Sequence, residues 1–155
     1  MKYGLIGKKL GHSFSKIIHN ELCDYVYELK ELEPDELDGF FKEKNFKAIN
    51  VTIPYKTDVI PYLDEISQVA REIGAVNTIV RRNGKLIGHN TDYYGFLTMV
   101  KASGLDVAGK KALVLGSGGA SHTAVAVLEA LGANVTVVSR SGENNYQNLD
   151  RHADA

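Results

Sequence analysis

Hydrophobic positions along the first hundred residues recur at two different spacings, which predict alternating strands and helices. Ile49, Val51 and Ile53 alternate with polar residues, so the pattern places their side chains on one buried face of a strand. Pro34 suits the first turn of a helix, because the N–H that proline lacks has no partner there. The predicted elements are strands at 3–7, 25–29 and 48–53 and helices at 15–22 and from 34 onward. This alternation is typical of an α/β fold.

The dipeptide Asn83-Gly84 predicts a tight β-hairpin, because both positions of a two-residue turn favour residues that tolerate positive φ. Such a turn places Asn77 opposite Asn90, so two side-chain amides are expected at the open end of the hairpin, beside Asp92. The next segment has apolar residues at helical spacing, which predicts a helix with one buried face. That face comprises Tyr93, Phe96, Leu97 and Val100.

A different pattern begins after residues 104–109, which are predicted to form a linker. A buried strand at 112–115 runs directly into the segment Gly116-Ser117-Gly118-Gly119-Ala120-Ser121, and a helix then leads to another buried strand at 135–139. Strand, glycine loop, helix and strand in this order are typical of the first βαβ unit of a dinucleotide-binding domain, which needs about six strands. We therefore predict a first domain at 1–103 and the incomplete start of a dinucleotide-binding domain at 110–155.

The glycine loop has the composition of a turn that binds a pyrophosphate. Gly116 allows a tight turn, Gly118 lets the backbone approach the ligand, and the helix N-terminus behind them carries a partial positive charge. Arg140 follows the second strand, where NAD-binding proteins usually have an acidic residue and where arginine suits a 2′-phosphate. The predicted cofactor is therefore NADP. The alternatives are an ordinary glycine-rich turn and a solvated arginine.

Polar residues near the predicted strand ends of the first domain form a second candidate site. Ser13 and Ser15 lie at a predicted helix start, where hydroxyls and unpaired backbone amides can bind a carboxylate. Lys56 follows the third strand and Asp92 begins the helix after the hairpin, which together offer a lysine–carboxylate pair for proton transfer. If the first and third strands are parallel, Lys56 and Asp92 share one edge of the sheet with Thr52, Asn77 and Asn90. Helix capping by Ser15 and Asp92, and a solvated Lys56, are the alternatives.

Composition restricts the functional classes. The 18 basic and 19 acidic residues give a net charge of −1, so no basic surface is expected to attract nucleic acid or an anionic membrane. Cys23 is the single cysteine, which excludes an intramolecular disulfide and favours the reducing cytoplasm. No apolar run approaches the roughly 18 residues that span a bilayer. His12 and His19 lack metal-ligand spacing, so no metal site is predicted.

Five segments, in this order along the chain, resemble the shikimate dehydrogenase family. They are Gly11-His12-Ser13-Phe14-Ser15 with His19-Asn20, Asn50-Val51-Thr52-Ile53-Pro54-Tyr55-Lys56, Gly74-Ala75-Val76-Asn77-Thr78, Gly88-His89-Asn90-Thr91-Asp92-Tyr93-Tyr94-Gly95, and the segment from Gly116 to Ser121. The resemblance implies a substrate-binding and catalytic α/β domain followed by the start of a Rossmann-type NADP-binding domain. It also implies NADP-dependent, reversible reduction of 3-dehydroshikimate to shikimate, on the route to aromatic amino acids.

The resemblance further implies roles for residues at the matched positions. Ser13 and Ser15 would bind the substrate carboxylate, and Lys56 with Asp92 would form the catalytic pair. The ring hydroxyls would be held by Thr52, Asn77 and Asp92. The pyrophosphate of NADP would be held by Gly116, Gly118, Gly119 and Ala120, and its 2′-phosphate by Arg140.

Two alternatives stay open at this point. The same first-domain residues would serve a dehydrogenase that acts on quinate as well as shikimate. The family's remaining cofactor strands and C-terminal segment have no counterpart in the chain, so a non-catalytic shikimate-binding module is the other alternative.

Overall fold

The computed structural model describes all of residues 1–155, and a mixed sheet of six strands organises the first of its two compact units. The first unit is Met1–Asn90 and the second is Thr91–Ala155. The strands of the first unit are β1 (Tyr3–Gly7), β2 (Tyr27–Glu31), β3 (Ala48–Val51), β4 (Glu65–Ile66), β5 (Thr78–Arg82) and β6 (Lys85–His89). Its helices are α1 (Ser15–Leu22), α2 (Leu37–Glu43) and α3 (Gln68–Ile73).

The strand order of this sheet is β2-β1-β3-β5-β6-β4. Strand β1 is parallel to both β2 and β3, whereas β5 is antiparallel to β3 and β6. The short β4 is parallel to β6 and closes the other edge. The sequence analysis predicted a shared sheet edge on the condition that the first and third strands are parallel. Strands β1 and β3 meet that condition.

The two faces of the sheet bury different side chains. One face packs against α2 and the segment after β3, and its cluster includes the buried Ile6, Ile49, Ile79 and Phe41. The opposite face carries a smaller cluster built from buried Leu5, Leu10 and Tyr27. Because successive side chains of a strand point to opposite faces, the sheet has a large aliphatic and aromatic core on one face and a smaller cluster around Tyr27 on the other.

Strand β3 is shorter than predicted. It ends at Val51, and Ile53 is 69% exposed, so the prediction that Ile53 shares the buried face was wrong. The physical reason is Pro54, which has no N–H for a sheet hydrogen bond. The chain turns here, with the Tyr55 N–H donating to the Thr52 carbonyl over 3.0 Å, and the fully buried Tyr55 enters the core instead.

The hairpin has the predicted register. Arg82 pairs with Lys85, and the two turn residues, Asn83 and Gly84, have φ of +52° and +80°. Pro34 begins a short 3-10 turn ahead of α2 rather than the α-helix itself. Strand β2 begins two residues later than predicted, at Tyr27.

The second unit contains the predicted βαβ arrangement. Its elements are α4 (Asp92–Ala102), β7 (Lys111–Leu115), α5 (Gly119–Ala130) and β8 (Asn134–Val138), and β7 is parallel to β8. Helix α4 packs against α5, and it therefore belongs to this compact unit, whereas the sequence pattern placed it before the linker. None of the helices in either unit combines the length and apolar character that crossing a membrane requires.

Candidate functional site

Four of the polar residues singled out in the sequence lie at one edge of the first unit's sheet. Because β1 and β3 are parallel, the loops that follow them leave the sheet at the same edge. Strand β5 begins at this edge and β6 ends there, since β5 is antiparallel to both β3 and β6. The residues placed there by the backbone are Thr52, Lys56, Asn77 and Asn90.

The loops after β1 and β3 are joined by backbone contacts. The Lys8 N–H donates to the Ile53 carbonyl over 3.2 Å, and the Thr52 N–H donates to the Ile6 carbonyl over 2.9 Å. A Cβ on Gly7 would lie 2.7 Å from Cγ2 of Thr52, so only glycine leaves room for the threonine side chain as placed. These contacts hold Thr52 against the end of β1.

Lys56 and Asn77 belong to segments that hydrogen-bond to each other. The Val76 N–H donates to the Lys56 carbonyl over 2.7 Å, and the Val51 N–H donates to the Asn77 carbonyl over 2.8 Å. Tyr55, the residue before the lysine, is anchored in the core by a 2.5 Å hydrogen bond from its hydroxyl to the Leu32 carbonyl. The backbone at Lys56 is therefore fixed from both sides.

The serines at the start of α1 have separate structural roles. The Ser15 N–H donates to Oγ of Ser13 over 3.2 Å, whereas Phe14 is the N-cap residue and Ser15 is the first residue of the helix. Capping by Ser15, one of the alternatives from the sequence, is therefore wrong. Phe14, between the two serines, is 72% exposed.

A chain of side-chain hydrogen bonds leads to Asn77 through residues that the sequence pattern did not assign to the site. The Tyr27 hydroxyl reaches across β1 and donates to Oδ1 of Asn50 over 2.7 Å. Nδ2 of Asn50 lies 3.1 Å from Oγ1 of Thr78, which in turn lies 3.1 Å from Oδ1 of Asn77. The polar Asn50 within an apolar strand was the one sequence signal that could have revealed this chain.

His19 stacks on the ring of Tyr27, with centroids 3.9 Å apart and an interplanar angle of 7°. Its Nδ1 lies 2.9 Å from the hydroxyl of Tyr25. Burial raises the pKa of Tyr27 to about 12, with a smaller contribution from Tyr25. His19, Tyr27, Asn50 and Thr78 all line a cavity of about 180 Å³ on this face of the sheet.

The glycine loop of the second unit has a backbone that suits a pyrophosphate. Gly116 has a φ of +124°, Gly118 precedes the first turn of α5, and a Cβ on either glycine would meet no atom within 4 Å. The loop therefore leaves open space in front of a helix N-terminus, where the first backbone N–H groups lack helical partners. The Ser121 hydroxyl, at the third position of the fingerprint, donates to the Gly118 carbonyl over 2.6 Å.

The remaining predicted site residues also lie in the second unit. Arg140 is exposed and follows β8, and Ser139 and Ser141 beside it leave this position without a carboxylate. Asp92 is the first residue of α4. Across residues 1–155, no group of three or more His, Cys, Asp and Glu side chains is arranged to hold a metal ion.

Comparison with known proteins identifies the first unit. Residues 5–79 match the family model described as the shikimate dehydrogenase substrate binding domain. A shikimate dehydrogenase (NADP(+)) from Halothermothrix orenii is 49% identical over 140 residues, which cover 84% of this chain and 48% of that protein. A shikimate dehydrogenase (NADP(+)) from Clostridium beijerinckii is 43% identical over 157 residues, which cover 96% of this chain and 58% of that protein.

Solved structures give the same result. The crystal structure of shikimate dehydrogenase 1 from Peptoclostridium difficile has a TM-score of 0.87 at 38% identity and covers 96% of this chain and 62% of that one. The chain spans about half the length of the curated relatives it matches. The predicted α/β fold class is confirmed, and the matched domain, the sequence identity and the shared fold confirm that the chain resembles the shikimate dehydrogenase family.

Proposed function

We propose that this chain carries the substrate-binding and acid–base residues for NADP-dependent, reversible reduction of 3-dehydroshikimate to shikimate. The observation that carries the proposal is the shared sheet edge, at which hydrogen bonds join the backbone of the Lys56 segment to that of the segment just before β5, which contains Asn77. A carboxylated polyol ring needs hydroxyl and amide partners together with one proton donor, and this edge supplies those groups. The name of the curated relatives, shikimate dehydrogenase (NADP(+)), supports the same reaction.

Each residue has a defined task in this proposal. The hydroxyls of Ser13 and Ser15 bind the substrate carboxylate. The ring hydroxyls are held by Thr52, Asn77 and Asp92. Lys56 donates a proton to the oxygen at C3 as the carbonyl is reduced, and takes it back in the reverse direction. Asp92, two residues beyond Asn90 along the chain, is the second member of the proposed acid–base pair.

The residues of the second unit fit NADP. The backbone amides of Gly116, Gly118, Gly119 and Ala120 hold the pyrophosphate at the start of α5, and the open space in front of the loop supports this. Arg140 binds the 2′-phosphate, since no carboxylate stands at the end of β8 to favour NAD. When bound, the reduced cofactor supplies a hydride to C3 of the substrate. The structure of the enzyme from Thermus thermophilus, in complex with NADP(H) and shikimate, supports this assignment.

The role of Lys56, which follows β3, is tested by substitution. Lys47 is the control, because it is exposed and directly precedes β3 at the opposite end of that strand. We expect Lys56→Ala to lower shikimate-dependent reduction of NADP, followed by NADPH absorbance, by about 10²- to 10⁴-fold. Lys47→Ala should leave the rate unchanged. Equal rates for the parent and Lys56→Ala would refute the acid–base role.

A non-catalytic shikimate-binding module is the alternative from the sequence, and the curated relatives, which are shikimate dehydrogenases, do not favour it. Titration of the parent chain with shikimate and with NADP by calorimetry separates the two. Shikimate binding with no turnover supports the module, whereas binding with turnover supports the dehydrogenase. Parallel kinetics with quinate decide whether the site accepts that acid too. The single cysteine favours the cytoplasm as the place where this chemistry occurs.

A further inference from the structure

We infer that Asn50 and Thr78 are positioning residues that determine which end of the Asn77 carboxamide faces the ligand. A carboxamide has an acceptor end and a donor end of nearly the same shape, so its orientation is decided by its hydrogen-bond partners. The inference deepens the proposed function, on which it rests, since it concerns how Asn77 would hold a ring hydroxyl.

Two groups determine which end of the Asn50 carboxamide donates and which end accepts. The Asn77 backbone carbonyl, which can only accept, lies 3.4 Å from Nδ2 of Asn50. The Tyr27 hydroxyl donates to Oδ1 on the other side of the same carboxamide. Burial raises the pKa of Tyr27, which keeps its proton available for this bond. Both contacts therefore require Asn50 to direct its NH2 group towards β5.

The orientation of Asn50 in turn determines the direction of the hydrogen bond between Thr78 and Asn77. Because Nδ2 of Asn50 donates to Oγ1 of Thr78, the threonine hydroxyl uses a lone pair there and directs its own proton elsewhere. Oδ1 of Asn77, 3.1 Å away, accepts that proton. The oxygen end of Asn77 is thus held towards Thr78, and the NH2 group is at the opposite end of the carboxamide.

This arrangement defines the chemistry of the ligand group that Asn77 recognises. An amide NH2 group donates hydrogen bonds, so the ring oxygen that it meets acts as an acceptor. Asn77 is only 7% exposed, and turning its carboxamide over would place its NH2 group against the Thr78 hydroxyl and remove the Oδ1 acceptor of that hydroxyl's proton. The chain therefore holds the donor orientation ready before the ligand arrives, which lowers the ordering cost of binding.

Two substitutions at one position test the inference. Thr78→Val removes the hydroxyl at nearly constant shape, whereas Thr78→Ser retains it as the matched control. We expect Thr78→Val to weaken shikimate binding about five- to tenfold by calorimetry, the equivalent of one lost hydrogen bond, and Thr78→Ser to remain within about twofold of the parent. Backbone amide spectra of both variants should match the parent, which shows that the fold is retained.

A second readout does not require the ligand. In ¹H–¹⁵N spectra of the ligand-free chain, the side-chain NH2 signals of Asn77 should shift and become more mobile in Thr78→Val, but not in Thr78→Ser. Unchanged NH2 signals in Thr78→Val would overturn the inference whether or not shikimate binds. Absence of shikimate binding to the parent chain, with the NH2 response intact, would instead count against the proposed function and leave the orienting role supported.

Discussion

Replacing Tyr55 by phenylalanine tests how strongly the core holds the segment that carries Lys56. The ring of Tyr55 is fully buried, and its hydroxyl donates to the carbonyl of Leu32, which is itself 3% exposed. Burial raises the pKa of Tyr55, so the hydroxyl stays protonated and remains a donor. Tyr55→Phe keeps the ring and removes only this bond.

The expected cost follows from the burial of both partners. Deleting one partner of a buried hydrogen bond costs about 1–3 kcal/mol, because the other partner loses its donor without regaining water. A loss of about 2 kcal/mol lowers the melting temperature of a domain of this size by about 10 °C. Tyr55→Ala removes the ring as well, and we expect that variant to lose about 3–5 kcal/mol.

Native-state hydrogen exchange measures the effect within the first unit. The amides of Val51 and Thr52 bond to Asn77 and Ile6, and they should exchange about 30-fold faster in Tyr55→Phe if the loss is about 2 kcal/mol. Tyr62→Phe is the control, since that ring is half-buried and keeps its stacking contact with the core.

Two outcomes would refute this reasoning. One is an exchange rate in Tyr55→Phe equal to that of the parent. The other is an equal loss in Tyr62→Phe, which would show that the hydroxyl bond to Leu32 is not the cause.

Two further predictions concern the stability of the first unit. The backbone N–H of Leu86, 2.7 Å away, holds the pKa of Asp64 below its ordinary value, with a smaller effect from a nearby lysine. The ionised Asp64 therefore stabilises the fold above about pH 4, and this stabilisation is lost as the pH falls through the lowered pKa. The melting temperature of Asp64→Asn should consequently change less between pH 5 and pH 2 than that of the parent. Gly39 lies exposed inside α2 with open space for a Cβ, so Gly39→Ala should raise the free energy of unfolding by about 0.5–1 kcal/mol in urea titrations. Gly74→Ala should have the opposite sign because Gly74 has a φ of +70°, and stabilisation by both substitutions would contradict the argument.

Local features of the sequence were sufficient to predict most elements. Strand β1 and helix α1 have the predicted bounds, and the Asn83-Gly84 turn pairs its strands in the predicted register. These features depend on periodicity and turn chemistry within a few residues, so they can be recognised without knowledge of the rest of the chain. The five ordered segments likewise indicated the family from their residues alone.

Interactions between distant segments could not be predicted in this way. The exposure of Ile53 depends on where the chain leaves the sheet, and the grouping of α4 depends on its packing against α5. The chain of hydrogen bonds to Asn77 depends on strands β2, β3 and β5, because Asn50 meets partners 23 and 28 residues away.

The amino-acid sequence by itself determined most of the elements, the candidate residues and the edge to which parallel strands would bring them. Only the tertiary structure decided the partners of those residues: Ser13 as the acceptor of the Ser15 N–H, Tyr55 as the buried anchor beside Lys56, and Asn50 with Thr78 as the neighbours of Asn77. The reason is physical. Secondary structure follows from interactions within a few residues, whereas side-chain pairing across a sheet follows from strand order and register, which the whole fold establishes.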